Sequence, residues 1–425
     1  MNRKTFLARL TAGGTALTLG PSATWAARTP VSGIGATSLH SADLQDWSRV
    51  RDLFPLDRDR LYFNTGGLGP PSRPVLETLQ EQALKQAMEG ETSHNRFEEA
   101  RATLARFMGA DPEELAFTRN ASESNSIIAS GLRLRTGDEV IFESHAHPGG
   151  SHPWLVRQKE QGIRVRIFEP DTRDPARNLE RILGLVNERT RVVQVSHLTA
   201  PTGILFDVKA IARACRERGI WFHVDGAQSA GMLPVDLQAI GCDSFAASGH
   251  KWLNGPQESG FLYIARHRID EVACRHAGAY SDYGYELPDT FKYNPTVQRH
   301  EYGTRDAASV LGLQTALHLQ EAIGKERIAR HGQRLARLCM EQLREIPNLT
   351  VLTPDHPELY HAMVAFRIKD MDNRTVFAEL NNRHGLRCRP VDERGLNAVR
   401  ISWHVYHQES DIERLLAGVR AVARG

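Results

Sequence analysis

The chain is 425 residues long, 41% hydrophobic and 24% charged, and its 53 Lys and Arg balance 51 Asp and Glu to a formal charge of +2. These values exclude a stapled mini-protein, a disordered chain and a multi-span membrane protein, and predict a soluble body of two domains. There is no basic excess to attract nucleic acid, so the expected partner is a small molecule. The five Cys are scattered without a CxxC pair, which signals neither a disulfide framework nor a thiolate zinc site.

Residues 1–27 read as an address. Arg3-Lys4, a weakly apolar stretch from Phe6-Leu7 to Gly20 and the Ala-rich TWAARTP follow the order of a signal peptide, with cleavage expected near Ala26 or Ala27. The apolar stretch carries Arg9, Gly13 and Gly14 and falls short of the ~20 residues needed to span a bilayer, so no membrane anchor is expected in the mature form. Asn2 to Leu7 is similar to the twin-arginine export signal, with Lys4 where the second Arg would stand. The expected location is the periplasm; the alternative is the cytoplasm.

Beyond a connecting segment at 28–72, expected to pack on the smaller domain, two hydrophobic periods alternate. Helical spacing covers Pro74 to Met88, Phe97 to Met108 and Val208 to Arg218; short β-rich runs are Glu139 to Glu143, Val165 to Phe168, Val192 to Val195, Trp221 to Val224 and Phe261 to Ile264. This alternation predicts an α/β domain over 73–304 with a mainly parallel sheet. The segment SDYGYELPDTFKYN, residues 281–294, is aromatic and turn-rich without a period and reads as a long loop. From 305 to 425, helical patterns at Arg305 to Ile323 and Glu326 to Leu343 precede a short strand and helix set, predicting a hinge helix and a small α+β domain.

The chemistry concentrates in WFHVDGAQSAGMLPVDLQAIGCDSFAASGHKWLNGP, which begins at Trp221. Asp225 and Lys251 both fall at the C-terminal ends of predicted strands, the edge where open α/β sheets bind ligands. A lysine amine can hold an aldehyde cofactor as a Schiff base while a carboxylate keeps the cofactor's pyridine nitrogen protonated. HVDGAQSAG followed by SGHKWLNGP resembles the signature of class V aminotransferase-like enzymes, fold type I enzymes of pyridoxal 5'-phosphate (PLP) that include cysteine desulfurases, selenocysteine lyases and isopenicillin N epimerase. The resemblance implies that Lys251 is the Schiff-base lysine, Asp225 the pyridinium partner, Gln228 the partner of the ring hydroxyl, and Ser248 and His250 phosphate ligands.

Further matches follow in the family's order. Thr118 to Asn125 (TRNASESN) follows a short strand and opens a helix, which places the backbone N–H groups of Ala121 and Ser122 at a positive helix end fit for phosphate, with Ser122 as N-cap and Glu123 in the first turn. Glu143 to Trp154 (ESHAHPGGSHPW) resembles the family's E-H motif and the P-W after it, with His147 as the ring that stacks on the cofactor and Ala146 in place of the family glutamate. His145, His147 and His152 raise a rival reading as metal ligands, without HExxH or a carboxylate at ligand spacing; no metal is expected. Ser196 to Gly203 (SHLTAPTG) matches a strand-end motif in which Thr199 contacts the cofactor, and Ala200 stands where desulfurases carry Asn. Glu301 to Thr304 (EYGT) resembles the E-x-G-T motif, in which Thr304 caps the phosphate of the neighbouring subunit, implying a homodimer with shared active sites. Arg400, in VRIS, resembles the arginine that grips the substrate carboxylate, and Arg389 is a second candidate for an acidic substrate tail.

The resemblance spans Tyr62 to Leu415 and implies fold and cofactor, with an amino acid as substrate. A desulfurase needs a thiolate on a mobile loop; the matching interval holds only Cys339, on a predicted helix, and Cys388, with no following H-C-A. The expected reaction is chemistry at the α-carbon, most like isopenicillin N epimerase-type enzymes, with transamination and carbon-sulfur lysis as alternatives. Tyr280, Tyr283 and Tyr285 are candidates for a second acid or for aromatic contact with substrate. A non-catalytic PLP-fold protein and a metal-dependent hydrolase are the rivals from other classes. Export fits the cofactor, because the twin-arginine route carries proteins already folded and loaded.

Overall fold

The computed structural model describes residues 43–424; the leader expected at 1–27 lies outside them. The first strand, β1 (Leu61–Tyr62), adds in parallel to β13 (Leu386–Arg387) far along the chain. This pairing, with Phe63 N–H bonded to the Arg387 carbonyl and Ser402 N–H to the Phe63 carbonyl, holds the connecting segment against the C-terminal part. Among the described residues, no helix is long and apolar enough to cross a membrane.

The larger part is built on strands β2 (Leu115–Thr118), β3 (Glu139–Glu143), β4 (Arg164–Phe168), β5 (Thr190–Ser196), β6 (Trp221–Asp225), β7 (Ser244–Ser248) and β8 (Gly260–Ile264). They form one seven-stranded sheet in the order β2-β8-β7-β6-β5-β3-β4. β3 to β7 run parallel to one another, and β8 is antiparallel to both β2 and β7. The central strands are buried on both faces, as parallel strands covered by helices must be. Val193, Val195, Phe222 and Val224 pack toward one helical layer, while Val140, Phe142, Val192 and Trp221 pack toward the other. Predicted and observed strands agree to within two residues at each end.

The segment at 281–294 differs from expectation. It forms an antiparallel hairpin of β9 (Asp282–Glu286) and β10 (Thr290–Tyr293) instead of a loop. Nearly every residue in both strands is exposed, so no inward and outward alternation exists to be read from the sequence. The helix Ala307–Ile323 then runs into Lys325–Leu343, and the smaller part is a four-stranded antiparallel sheet of β11 (Leu349–Val351), β12 (Met363–Ile368), β14 (Arg389–Val391) and β15 (Ala398–Ser402), in the order β11-β12-β15-β14. Helices Asn373–Arg383 and Ser410–Arg424 cover it, with Leu380, Leu415, Leu416 and Val419 in its core.

Candidate active site

The parallel strands β5, β6 and β7 end along one edge, with Ser196 opposite Asp225 and Asp225 opposite Ala246. Lys251 follows β7 in a turn. At this edge lies a cavity of about 270 Å³ lined by Lys251, Asp225, Gln228, Ser248, His250 and His147, by Ala121 and Ser122 at a helix start, and by Arg389 and Arg400 from the small sheet. Residues separated by almost 280 positions thus meet in one place, at the sheet edge where the strand ends leave room for a ligand.

A chain of donors fixes Asp225. The Trp221 indole N–H donates to Ser244 Oγ at 2.9 Å, and the Ser244 hydroxyl lies 2.8 Å from His223 Nδ1. On the far side of the ring, His223 Nε2 lies 2.8 Å from Asn125 Oδ1, and Asn125 Nδ2 donates to Asp225 Oδ2 at 3.0 Å. Burial presses the His223 pKa down to about 4, so the ring is neutral and one tautomer satisfies the whole relay. Ala227 N–H donates to the other Asp225 oxygen at 3.0 Å. Neither Asn125 nor His223 is assigned a role by the sequence motifs, yet His223 stands two residues before Asp225 on a strand and therefore on the same face.

At the other end, the 11-residue helix Ala121–Gly131 points its N-terminus at the cavity, and Ala121 N–H donates to Ser248 Oγ at 3.0 Å. Its N-cap is Asn120, whose side chain accepts from Glu123 N–H, and not Ser122 as expected; the cap two residues earlier leaves the Ser122 side chain free to line the cavity. His250 lines the cavity with Nδ1 buried and unpartnered, and burial followed by the Lys251 charge lowers its pKa to about 4.

Burial pushes the Lys251 ammonium down to about 8; Asp225 opposes this, and Arg400 and Arg389 add to it. More of its amine is therefore free at neutral pH than in an exposed lysine. Behind it, Gly69 N–H donates to the His250 carbonyl at 2.7 Å, and a Cβ at Gly69 would lie 1.8 Å from the Lys251 carbonyl oxygen, so only glycine permits this approach. His147 caps the helix Pro148–Gln161, its Nδ1 accepting from Gly149 N–H at 3.0 Å. Burial and then Lys251 lower its pKa, which keeps the ring neutral as it faces the cavity.

Arg400 is 1% exposed. Its Nη1 donates to the Ala200 carbonyl at 2.8 Å and its Nη2 to Asn64 Oδ1 at 3.0 Å, which fixes the guanidinium plane. Gln228 is held on both sides of its amide, Nε2 donating to the Gly66 carbonyl at 2.9 Å and Oε1 accepting from the Trp252 indole at 2.8 Å. The strap Asn64–Gly67 thus forms a wall of the site that sequence reasoning did not assign. Glu143, at the end of β3, is fully buried: Oε1 accepts from Ser196 N–H at 3.1 Å and Oε2 has no partner.

Other expected residues lie elsewhere. Thr199 does not line the cavity; it is fully buried, its hydroxyl 2.9 Å from that of Thr202 and accepting from Ile204 N–H, so that it closes a turn and leaves Ala200 to face the site. Thr304 is exposed and outside the cavity of its own chain. Tyr283 and Tyr285 stand out on the hairpin at 79% and 66% exposure, and Tyr280 before it is also exposed; none reaches this cavity. The three histidines of the metal reading diverge: His145 turns to Thr202, His147 to the cavity and His152 to solvent. Among the described residues, no group of three His, Cys, Asp or Glu is placed to hold a metal ion.

Residues 76–415 match the family model described as aminotransferase class-V. The chain belongs to the class-V aminotransferase family. A probable cysteine desulfurase of Methanothermobacter thermautotrophicus is 31% identical to this family member over 394 residues, which span 86% of this chain and 95% of the relative. Isopenicillin N epimerase of Streptomyces clavuligerus is 30% identical over 397 residues, spanning 89% and 98%. A solved structure of a C-DES mutant with glycine covalently linked to its PLP cofactor aligns with a TM-score of 0.81 at 25% identity, covering 87% of this chain and 98% of that one. The class-V fold is accordingly that of type I PLP-dependent enzymes, and the residues present suit such a cofactor. An amine and a doubly hydrogen-bonded carboxylate face one cavity, and a helix N-terminus, a serine and an imidazole with an unpartnered nitrogen line it as well.

Proposed function

We propose that this PLP-dependent enzyme acts at the α-carbon of an amino acid by moving its α-proton, in the manner of an epimerase and without a cysteine nucleophile. The observation that carries this reading is the placement of Lys251, Asp225 and Arg400 around one cavity. What the cofactor supplies when bound is an electron sink for the α-carbon. Lys251 would bind the cofactor covalently, Asp225 would hold the pyridine nitrogen, and Ala121, Ser122, Ser248 and His250 would hold the phosphate. Arg400, with its plane fixed and its Nε buried without an acceptor, has N–H groups left to take the substrate carboxylate and orient the α-carbon. With the substrate amine in its place on the cofactor, the Lys251 amine, lowered to about 8, would be free to take the α-proton, and a proton delivered from the opposite face would invert the centre.

The cysteines support an epimerase-like reading over a persulfide one. Cys388 is 0% exposed, and burial pushes its thiol up to about 12; Cys339 is likewise fully buried with a raised pKa. A nucleophilic thiol needs exposure and a lowered pKa. We also infer a homodimer in which Thr304 serves the partner's site, a reading supported by its exposure outside its own cavity and by the aromatic surface of the hairpin. Export to the periplasm is proposed on the order of charged, apolar and small residues in 1–27.

The test is incubation of the cofactor-loaded enzyme with an amino-acid panel in heavy water, followed by mass spectrometry. Deuterium at the α-carbon with the skeleton intact and chirality lost is the expected result. A keto acid would point to transamination, and pyruvate with released thiol to lysis. Lys251→Ala should abolish the exchange and the visible absorption of the bound cofactor; a wild-type protein that stays colourless with added PLP overturns the reading.

A further inference from the structure

Arg389 on β14 and Arg400 on β15 are directly opposed in the antiparallel register, and both line the cavity. Two guanidinium groups side by side in a half-dry site repel one another; burial and then Arg389 bring the Arg400 pKa down to about 9. Such a pair calls for anions. The substrate α-carboxylate answers Arg400 alone.

Arg389 has a provisional partner. Its Nη2 donates to Glu393, in the short turn Glu393–Gly395, while its Nη1 is buried with no acceptor. Both side chains of this pair are 25% exposed, and Asp392, Arg394 and Gly395 around Glu393 are exposed, so the carboxylate can swing into water with little else to move. Arg389 lines the cavity and Glu393 does not. The side of the pair offered to a ligand is therefore the cation.

Resting on the proposed function, we propose that Arg389 recognises the far end of the substrate's side chain and selects amino acids ending in a carboxylate or a similar anion, and that Glu393, from outside the cavity, holds the Arg389 guanidinium until substrate displaces it. Arg400 and Arg389 then read the two ends of one dicarboxylic amino acid, with the α-carbon held between Arg400 and Lys251. Glu393 acts as an internal competitor, so removing its charge tightens binding of the anionic substrate, whereas loss of an ordinary ligand-binding carboxylate would weaken it.

The test is calorimetric titration of the cofactor-loaded enzyme with glutamate and 2-aminoadipate against glutamine and lysine. Wild type should prefer glutamate to glutamine. Arg389→Met should reduce that preference by about tenfold or more, the effect of losing a hydrogen-bonded charge pair, and Glu393→Gln should increase it severalfold. Equal weakening of glutamate and glutamine by Arg389→Met overturns the proposal, as does a Glu393→Gln variant that loses affinity for lysine with no gain for glutamate. If no amino acid binds although cofactor is incorporated, both this proposal and the α-carbon reading fail; a lost preference with exchange intact overturns this one alone.

Discussion

Replacing Glu143 with glutamine should stabilise the protein in alkaline solution and change it little in mild acid. Burial pushes the Glu143 carboxyl up from 4.5 to about 7, opposed by hydrogen bonds from Ser196 and assisted by the charge of Asp225. Between those two values the folded chain binds a proton that the unfolded chain has released, so stability falls as pH rises through this window and the cost is constant above it. At about 1.4 kcal/mol per pH unit, the window amounts to about 3 kcal/mol. Glutamine has the shape of the protonated acid, keeps an oxygen for Ser196 N–H, and carries no charge to lose. Urea unfolding of wild type and Glu143→Gln at pH 5 and pH 8.5 should show midpoints that separate with rising pH, in favour of the variant, at an unchanged slope. A difference independent of pH, or a variant that becomes relatively weaker in alkali, would refute this account of Glu143.

Three other outcomes follow from the site. Asn125→Leu removes the donor to Asp225 Oδ2 and strands the His223 N–H, so PLP affinity measured by fluorescence titration of the apo protein should fall about tenfold to a hundredfold; an unchanged affinity would show that the relay does not hold Asp225. Gly66→Ala places a Cβ 2.8 Å from Gln228 Oε1 and 2.9 Å from Arg400 Nη2, and should raise KM more than it lowers kcat, because Arg400 is displaced while Lys251 is not touched. Cys388→Ala should leave α-proton exchange intact, whereas loss of turnover together with a protein-bound persulfide on wild type given cysteine would reinstate the desulfurase reading.

What the sequence reveals of this protein follows from how local the information is. Strands β3, β5, β6 and β8 are short apolar runs between turn signals, and burial on both faces makes them unmistakable. Lys251, Asp225, Gln228, Ser248 and His250 lie within one βαβ stretch, so their motif and their meeting at a strand edge are both readable. The hairpin at 281–294 escapes because exposure on both faces leaves no pattern. The helix start at Asn120 is displaced because Asn and Ser are equally good caps. Thr199 has the right motif and the wrong direction, a matter of one residue in a turn. The strap is invisible for another reason: the Gly66 carbonyl meets Gln228 across 162 positions, and nothing in either segment announces the other.

That long-range wall gives Arg400 a structural role beside the carboxylate binding proposed for it. It is anchored on β15 of the small sheet, while its guanidinium is tied to Ala200 after β5 of the large sheet and to Asn64 of the strap. Three parts of the chain therefore share one cation, and their positions are coupled through its hydrogen bonds. His404 and Asn254 make a second tie of the same kind, with His404 Nε2 2.6 Å from Asn254 Oδ1 and Asn254 Nδ2 donating to the Pro70 carbonyl at 3.0 Å, just past the lysine turn. Burial and neighbouring His407 lower the His404 pKa to about 3, so this contact is a neutral hydrogen bond that pH does not switch near neutrality. A carboxylate arriving at Arg400 thus meets a frame already joined on both sides of Lys251. On the substrate reading proposed above, specificity rests with Arg389, whose partner Glu393 is partly exposed and outside the cavity, and positioning of the α-carbon with the buried ties of Arg400.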